Sequence, residues 1–296
     1  MSNASSKIVF QGEPGANSHI ACQEVFPEYE AVPCATFEDA FAEVAEGRAA
    51  LAMIPIENSV AGRVADIHYL MPTSGLSIIG EYFLPIHHQL VGVRGATLEG
   101  LTHIRSHVMA LGQCRKLIRK RGVTAVIAAD TAGSAREIAA LGDATQGALA
   151  SSLAAEIYGL DILASDVEDE DHNTTRFVIL SREPRWVDAG GSGTITTFVF
   201  RVRNVPAALY KAMGGFATNG VNMTKLESYQ LEGQFFATQF YADIEGHPHD
   251  PAVARALDEL EYYTREFKIL GVYKAASFRE SIRETAVEEP SLRHPE

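Results

Sequence analysis

The chain has 296 residues, 46% hydrophobic and 21% charged, a balance that fits two or three structural units with ordinary cores and excludes a disordered protein. Twenty-five Lys and Arg against 38 Asp and Glu leave a formal charge of −13, which repels phosphate backbones and argues against a nucleic-acid partner. Scattered cysteines (Cys22, Cys34, Cys114), an N-terminus without a signal-like apolar stretch, and no run near the roughly 20 apolar residues of a membrane span point to a reduced, cytoplasmic chain with no membrane partner.

In chain order, Lys7 to Phe10 reads as a strand, Gly12-Glu13-Pro14-Gly15 as a turn and Asn17 to Val25 as a short helix. Thr36-Phe37-Glu38-Asp39 resembles a capping box opening an amphipathic helix that Gly47 ends. Strands are expected at Leu51 to Ile54, Leu76 to Ile79, Leu84 to Val93, Thr124 to Ala128, Gly147 to Ala150 and Arg176 to Leu180. Helices are expected between them at Val108 to Arg121, Thr131 to Leu141 and Ser151 to Tyr158. This alternation implies an α/β fold whose ligands sit at strand ends, against helix N-termini.

The Gly190-Gly191-Ser192-Gly193 stretch has linker composition. Beyond it, Thr196 to Arg201, a helix from Pro206 to Asn219-Gly220, strands Met223 to Tyr229 and Gln234 to Asp243, a helix Pro251 to Tyr262 and a strand Phe267 to Tyr273 give the order βαββαβ, a ferredoxin-like module. The tail from 276 is charged, lacks apolar periodicity, and reads as disordered or loosely docked.

Chemistry is expected at the strand-to-helix turns. Gly12 to Ser18 opens a helix, where unpaired N–H groups and the dipole favour a carboxylate or phosphate, though a structural turn with capping side chains would look the same. Glu57-Asn58-Ser59 could hydrogen-bond one ligand or satisfy a turn. Ser106-His107 and Gln113 belong to another such junction. His103 and His107 are four apart but separated by a strand end at Ser106, so no metal site is expected there. Of His87 and His88, adjacent on a strand, at most one can line a site. Arg115-Lys116 and Arg119-Lys120-Arg121 read as a solvated helix face. Thr175-Arg176 at a strand start pairs a hydroxyl with a cation, suited to an anion with a departing oxygen, or else marks a strand edge with a surface arginine. Residue types and spacing thus give an α/β protein able to bind a small anion, without naming a reaction.

These segments, in this order, resemble the prephenate dehydratase family. The motifs are Gly12-x-x-Gly15, Pro55-x-Glu57-Asn58-Ser59-x-x-Gly62, Ser106-His107-x-x-Ala110-Leu111-x-Gln113-Cys114, Gly147-Ala148-Leu149-Ala150 with Ala155-x-x-Tyr158-Gly159-Leu160, and Asn173-x-Thr175-Arg176-Phe177. The resemblance implies a catalytic domain over 7–183, built as two periplasmic-binding-protein-like lobes: lobe one about 7–84 and 165–183, lobe two about 85–164. It implies decarboxylating dehydration of prephenate to phenylpyruvate without metal or other cofactor. Thr175 would serve as the catalytic donor, and Asn58, Ser59, Glu57, Ser106, Gln113, Arg176 and Asp130 would contact substrate.

The module over 194–275 resembles the ACT regulatory domain, followed by a charged tail over 276–296. That resemblance implies a homodimer or homotetramer in which L-phenylalanine, the allosteric effector, meets Ala208, Leu209, Asn222, Glu227 and Ser228. Two motifs depart from the family: Ala207-Ala208-Leu209 replaces glycine-alanine-leucine, and Glu227-Ser228-Tyr229-Gln230 replaces glutamate-serine-arginine-proline. The competing readings are arogenate as substrate and a non-catalytic amino-acid sensor. With the first motif at Gly12, an N-terminal mutase domain is not expected.

Overall fold

The computed structural model describes residues 6–64, 67–170, 172–203, 205–230 and 239–281. Its elements are, in chain order, β1 (Lys7–Gln11), α1 (Asn17–Val25), β2 (Glu30–Cys34), α2 (Phe37–Ala45), β3 (Leu51–Asn58), β4 (Gly62–Arg63), α3 (Ile67–Thr73), β5 (Ser77–Pro85), β6 (Gln89–Gly92), β7 (His103–His107), α4 (Val108–Gln113), α5 (Arg115–Arg121) and β8 (Thr124–Ala128). There follow α6 (Thr131–Leu141), β9 (Gln146–Ala150), α7 (Ser152–Tyr158), β10 (Asp161–Ala164), β11 (Thr174–Ser181), β12 (Thr194–Val202), α8 (Ala208–Thr218), β13 (Met223–Tyr229), β14 (Gln239–Glu245), α9 (Pro251–Tyr263) and β15 (Thr264–Lys274). The chain divides into two compact units, Met1–Leu70 with Leu84–Arg182, and Met71–Phe83 with Glu183–Glu296. No helix among the described residues is long and apolar enough to cross a membrane.

The first unit has two lobes. One is a sheet in the order β11-β3-β1-β2, in which β1 runs parallel to both neighbours and β11 antiparallel to β3. The other is a five-stranded sheet, β10-β6-β9-β7-β8. Helix ends follow the local sequence. Thr36 accepts from the Asp39 N–H at the start of α2, Asp130 from Gly133 before α6, and Ser151 from Ala154 before α7. The chain passes between the lobes twice, and the two crossings run side by side: Ile86 N–H donates to the Asn173 carbonyl at 2.8 Å, and Val167 N–H to the His88 carbonyl at 2.9 Å.

Several expected elements differ. The helix expected over Val108 to Arg121 breaks at Cys114, where φ is −121° and the first segment ends. The strand expected over Leu84 to Val93 is the end of β5, the crossing at 86–88, and β6. β2 has no periodic signal: Glu30-Ala-Val-Pro-Cys carries Pro33 and shows no clean alternation. The strand expected from Gln234 begins outside the described residues, which resume at Gln239.

In the second unit β12-α8-β13-β14-α9-β15 forms a βαββαβ module with strand order β13-β14-β12-β15. Phe198, Phe200, Phe216, Phe240, Ile244 and Leu260 fill its core, each such burial contributing about 1.5–3 kcal/mol. β5 extends this sheet, pairing in parallel with β15 at Ile78 and Gly271. A Cβ on Gly271 would collide with the Ile78 carbonyl, so the approach requires glycine. Arg279, from the charged segment, donates to both carboxylate oxygens of the buried Glu81 at 2.6 and 2.9 Å.

Candidate functional site

The first unit holds a cavity of about 300 Å³ lined by both of its lobes. That volume lies at the small end of the ligand-pocket range of roughly 300–1,000 Å³, so a compact molecule fits. One wall is the β3–β11 pair. Thr175 lies opposite Asn58, and Arg176 opposite Glu57. The register then shifts, because Phe177 pairs with Pro55 and Ile56 is left over. This bulge accommodates a proline, which has no ladder donor, in the middle of a sheet. It also brings Pro55 and Asn58, three apart, to the same face as Thr175 and Phe177, and all four line the cavity.

The polar wall has a fixed direction of hydrogen bonding. Val60 and Ala61 N–H groups donate to Asn58 Oδ1 at 3.0 and 2.7 Å. Asn58 Nδ2 must therefore point the other way, donating to Asn173 Oδ1 at 2.8 Å and Thr175 Oγ1 at 2.9 Å. Asn173 Nδ2 donates in turn to Gln113 Oε1 at 3.0 Å. Thr175 accepts in this network, so its own O–H is left to donate into the cavity.

The remaining wall is made of helix starts. α1 has no side-chain cap at Ala16, and the Asn17 and Ser18 N–H groups have no partner among the described residues. Asp130 and Thr131 border the cavity at the start of α6. His107 Nδ1 accepts from Met109 N–H at 3.3 Å at the start of α4. No lysine or arginine is among the described residues lining the cavity. Attraction for a carboxylate thus comes from neutral donors and helix dipoles. Gly15 (φ +90°) closes the turn against lobe two: a Cβ there would lie 2.6 Å from Ala154 Cα, and Ser151 Oγ donates to its carbonyl at 2.5 Å.

Of the residues singled out from sequence, Thr175, Asn58, Gln113 and Asp130 line the cavity. Arg176 does not. It is 2% exposed and its Nη1 lies 2.9 Å from Glu57 Oε1. Pleating puts this ion pair on the opposite face of the sheet from Thr175 and Asn58, so neither Arg176 nor Glu57 is among the residues lining the cavity. Ser59 also lies outside, its hydroxyl donating to the His172 carbonyl at 2.6 Å and accepting from Thr174 N–H at 2.9 Å. Ser106 is buried, and its Oγ donates to the Leu149 carbonyl at 2.8 Å. Both brace the site from behind.

Asn173 and His88 complete the wall. Asn173 stood within a recognised motif without a role, and His88 was one of an adjacent pair that sequence could not separate. His88 sits 2.8 Å from Gln113 Oε1, and burial holds its imidazole below the ordinary range despite the opposing influence of that hydrogen bond and of Glu168. Its neighbour His87 turns outward to Glu168 and Asp166, at 2.8 and 3.6 Å. Among the described residues these three are the group that could hold a metal ion. Glu168 already accepts from the His88 backbone N–H at 2.8 Å.

In the second unit, Ala207 has φ 61°, in the region favoured by glycine, immediately before Ala208 and Leu209 on α8. Glu227 and Ser228 lie on β13, Glu227 3.2 Å from Lys225 Nζ, and the Asn222 carbonyl accepts from Glu245 N–H at 3.0 Å.

The family model for prephenate dehydratase matches residues 8–185. A bifunctional N-acyl-homoserine lactone acylase/prephenate dehydratase from Komagataeibacter europaeus is 51% identical over 94% of this chain and 99% of its own. Arogenate dehydratase/prephenate dehydratase 1 of Arabidopsis thaliana is 37% identical over 90% of this chain and 71% of its own. A prephenate dehydratase from Arthrobacter aurescens, solved in complex with L-Phe, superposes with a TM-score of 0.83 at 29% identity, covering 95% of this chain and 98% of that one.

Proposed function

The chain belongs to the prephenate dehydratase family, and we infer that it converts prephenate to phenylpyruvate, carbon dioxide and water on the route to phenylalanine. The bond from the ring to its carboxylate breaks, and the electron pair it leaves completes the aromatic ring. The bond to the ring hydroxyl breaks with its pair on oxygen, which takes one proton from solvent water and departs as water. Atoms and electrons balance without an external oxidant or reductant.

The observation that carries this reading is the direction of the Thr175 hydroxyl. Both Asn58 Nδ2 hydrogens are spent, one of them on Thr175 Oγ1, so the threonine proton remains for a departing oxygen. An alcohol is a poor general acid, and Thr175 acts by stabilising the charge that develops on that oxygen. Asn17 and Ser18 N–H groups and the Gln113 amide supply donors for the two carboxylates, holding the substrate where both bonds can break. Asn58 orients Thr175, and Asp130 acts as the cap that fixes the start of α6. Glu57, Arg176, Ser59 and Ser106 keep the strands in place.

The L-Phe complex of the Arthrobacter aurescens relative supports phenylalanine as effector. The βαββαβ module, read as an ACT domain over 194–275, would bind it between paired copies of a homodimer or homotetramer. Ala208, Leu209, Asn222, Glu227 and Ser228 are the proposed contacts. Calorimetry with millimolar phenylalanine tests this, and the absence of heat would sink it.

The Komagataeibacter relative favours one second reading, an added amide hydrolysis of N-acyl-homoserine lactones. The test is product formation from prephenate, arogenate and an N-acyl-homoserine lactone by one purified preparation. Phenylpyruvate from prephenate is the expected result. Phenylalanine from arogenate alone would keep the chemistry and change the substrate.

A further inference from the structure

Resting on the dehydratase reading, we propose that His88 is a positioning residue: in its Nε2–H tautomer it donates to Gln113 Oε1 and so turns the Gln113 amide nitrogen toward a substrate carboxylate.

Two backbone groups fix the polarity of the network. Val60 and Ala61 N–H can only donate, so the Asn58 atom they meet is the oxygen. The Asn58 nitrogen therefore faces Asn173, and the Asn173 atom that receives it is also an oxygen. The Asn173 nitrogen faces Gln113, which again answers with oxygen. The same Gln113 Oε1 lies 2.8 Å from His88 Nε2. Two acceptors at that distance would repel, so His88 Nε2 must carry hydrogen. No acceptor for an Nδ1 proton is present among the described residues, so the geometry places the ring hydrogen on Nε2. The polarity set at the β3 turn is thus relayed across both lobes to one imidazole tautomer.

The consequence falls on Gln113. Its oxygen accepts twice, from Asn173 and His88, and its Nε2 has no partner among the described residues. Without His88 one of the two interactions holding the amide is lost, and the reversed orientation would present an oxygen to the substrate carboxylate. The residue touches no reacting atom in this account. It acts through Gln113, at a place where the chain crosses between lobes.

The experiment combines a spectroscopic and a kinetic readout. Long-range proton–nitrogen correlation spectra of ¹⁵N-histidine protein should show His88 neutral and protonated at Nε2 at pH 7. Nδ1 protonation or an imidazolium would overturn the proposal. His88→Gln keeps a donor near the Nε2 position, whereas His88→Asn is too short to reach Gln113. We expect His88→Asn to raise the KM for prephenate about tenfold with kcat changed far less, the signature of lost ground-state binding, and His88→Gln to restore most of the loss. In a Gln113→Ala background, His88→Asn should add little. A wild-type KM in His88→Asn, or equal losses in the Asn and Gln variants, would refute the positioning role. Turnover by the unaltered protein is the separate check on the dehydratase reading.

Discussion

Replacing Asn58 by aspartate tests the site through a change of almost no volume. The introduced carboxylate would still accept from the Val60 and Ala61 N–H groups, now 3.0 and 2.7 Å from Oδ1. On its other side the amide hydrogens that reach Asn173 Oδ1 and Thr175 Oγ1 at 2.8 and 2.9 Å would be gone. Thr175 would then turn its own proton onto the carboxylate and lose it for the leaving oxygen. Removing one donor from a developing oxyanion costs about 10²–10³ in kcat, or roughly 2.7–4 kcal/mol. The fold should lose less, about 1–2 kcal/mol, the cost of leaving Asn173 Oδ1 facing the new carboxylate without its donor. Activity should recover as pH falls through the pKa of the new carboxyl, since the neutral acid regains an O–H that Thr175 can accept. The assay is steady-state phenylpyruvate release, with urea denaturation of the same preparation. Thr175→Ala added to Asn58→Asp should cost little more than either change alone, because both remove one donor. A kcat for Asn58→Asp close to that of the unaltered protein, or additive losses in the double variant, would rule out Asn58 as the group that frees the Thr175 proton.

Gly15→Val places a β-branched residue at φ +90° with its Cβ 2.6 Å from Ala154 Cα; it should destabilise the first unit by at least about 2 kcal/mol in urea titration, and an unchanged midpoint would contradict the assigned packing. Arg176→Met breaks a pair whose arginine is buried and whose Glu57 side chain is 31% exposed, so a loss near the lower end of about 3–5 kcal/mol is expected. Because Arg176 lies outside the cavity, the KM for prephenate of the folded variant should stay within about threefold; a rise above tenfold without loss of stability would return Arg176 to substrate binding. Burial pushes the Cys22 and Cys114 thiols up to about 12 and Cys34 up to about 11, from 9.0. The folded state therefore holds protons that the unfolded chain releases, and stability present below pH 9.0 should fall as pH rises toward 11 and 12. Native protein at pH 8 should label slowly with a thiol reagent, and fast stoichiometric labelling would contradict this burial.

The sequence was most legible where one local rule decides the outcome. Thr36 begins a helix as the cap its sequence implies, whereas Asp130, expected to contact substrate, is also a cap; alternating apolar and turn residues separate the βαβ segments from the βαββαβ module. It was least legible where the answer depends on a partner strand. Whether Arg176 faces the cavity is decided by the pleat and by the bulge at Ile56, and neither can be read from the Thr-Arg dipeptide. β2 escaped notice because Pro33 masks its pattern, and the single helix expected over Val108 to Arg121 hides the break at Cys114 that ends α4 at Gln113. The residues 71–83 join the second unit because β5 pairs with β15, almost two hundred residues away along the chain. His88 could not be told from His87, since the choice between them is made by which one meets Gln113.

A threonine hydroxyl, freed to donate by Asn58, is proposed to drive loss of the ring hydroxyl from prephenate. The most direct test is phenylpyruvate formation by the unaltered protein and by Thr175→Ala at neutral pH, with fold verified by circular dichroism. Turnover is expected in the first and a fall of about 10²–10³ in the second, with little change in substrate affinity. Equal turnover by both, or none by a folded unaltered protein, would contradict this role.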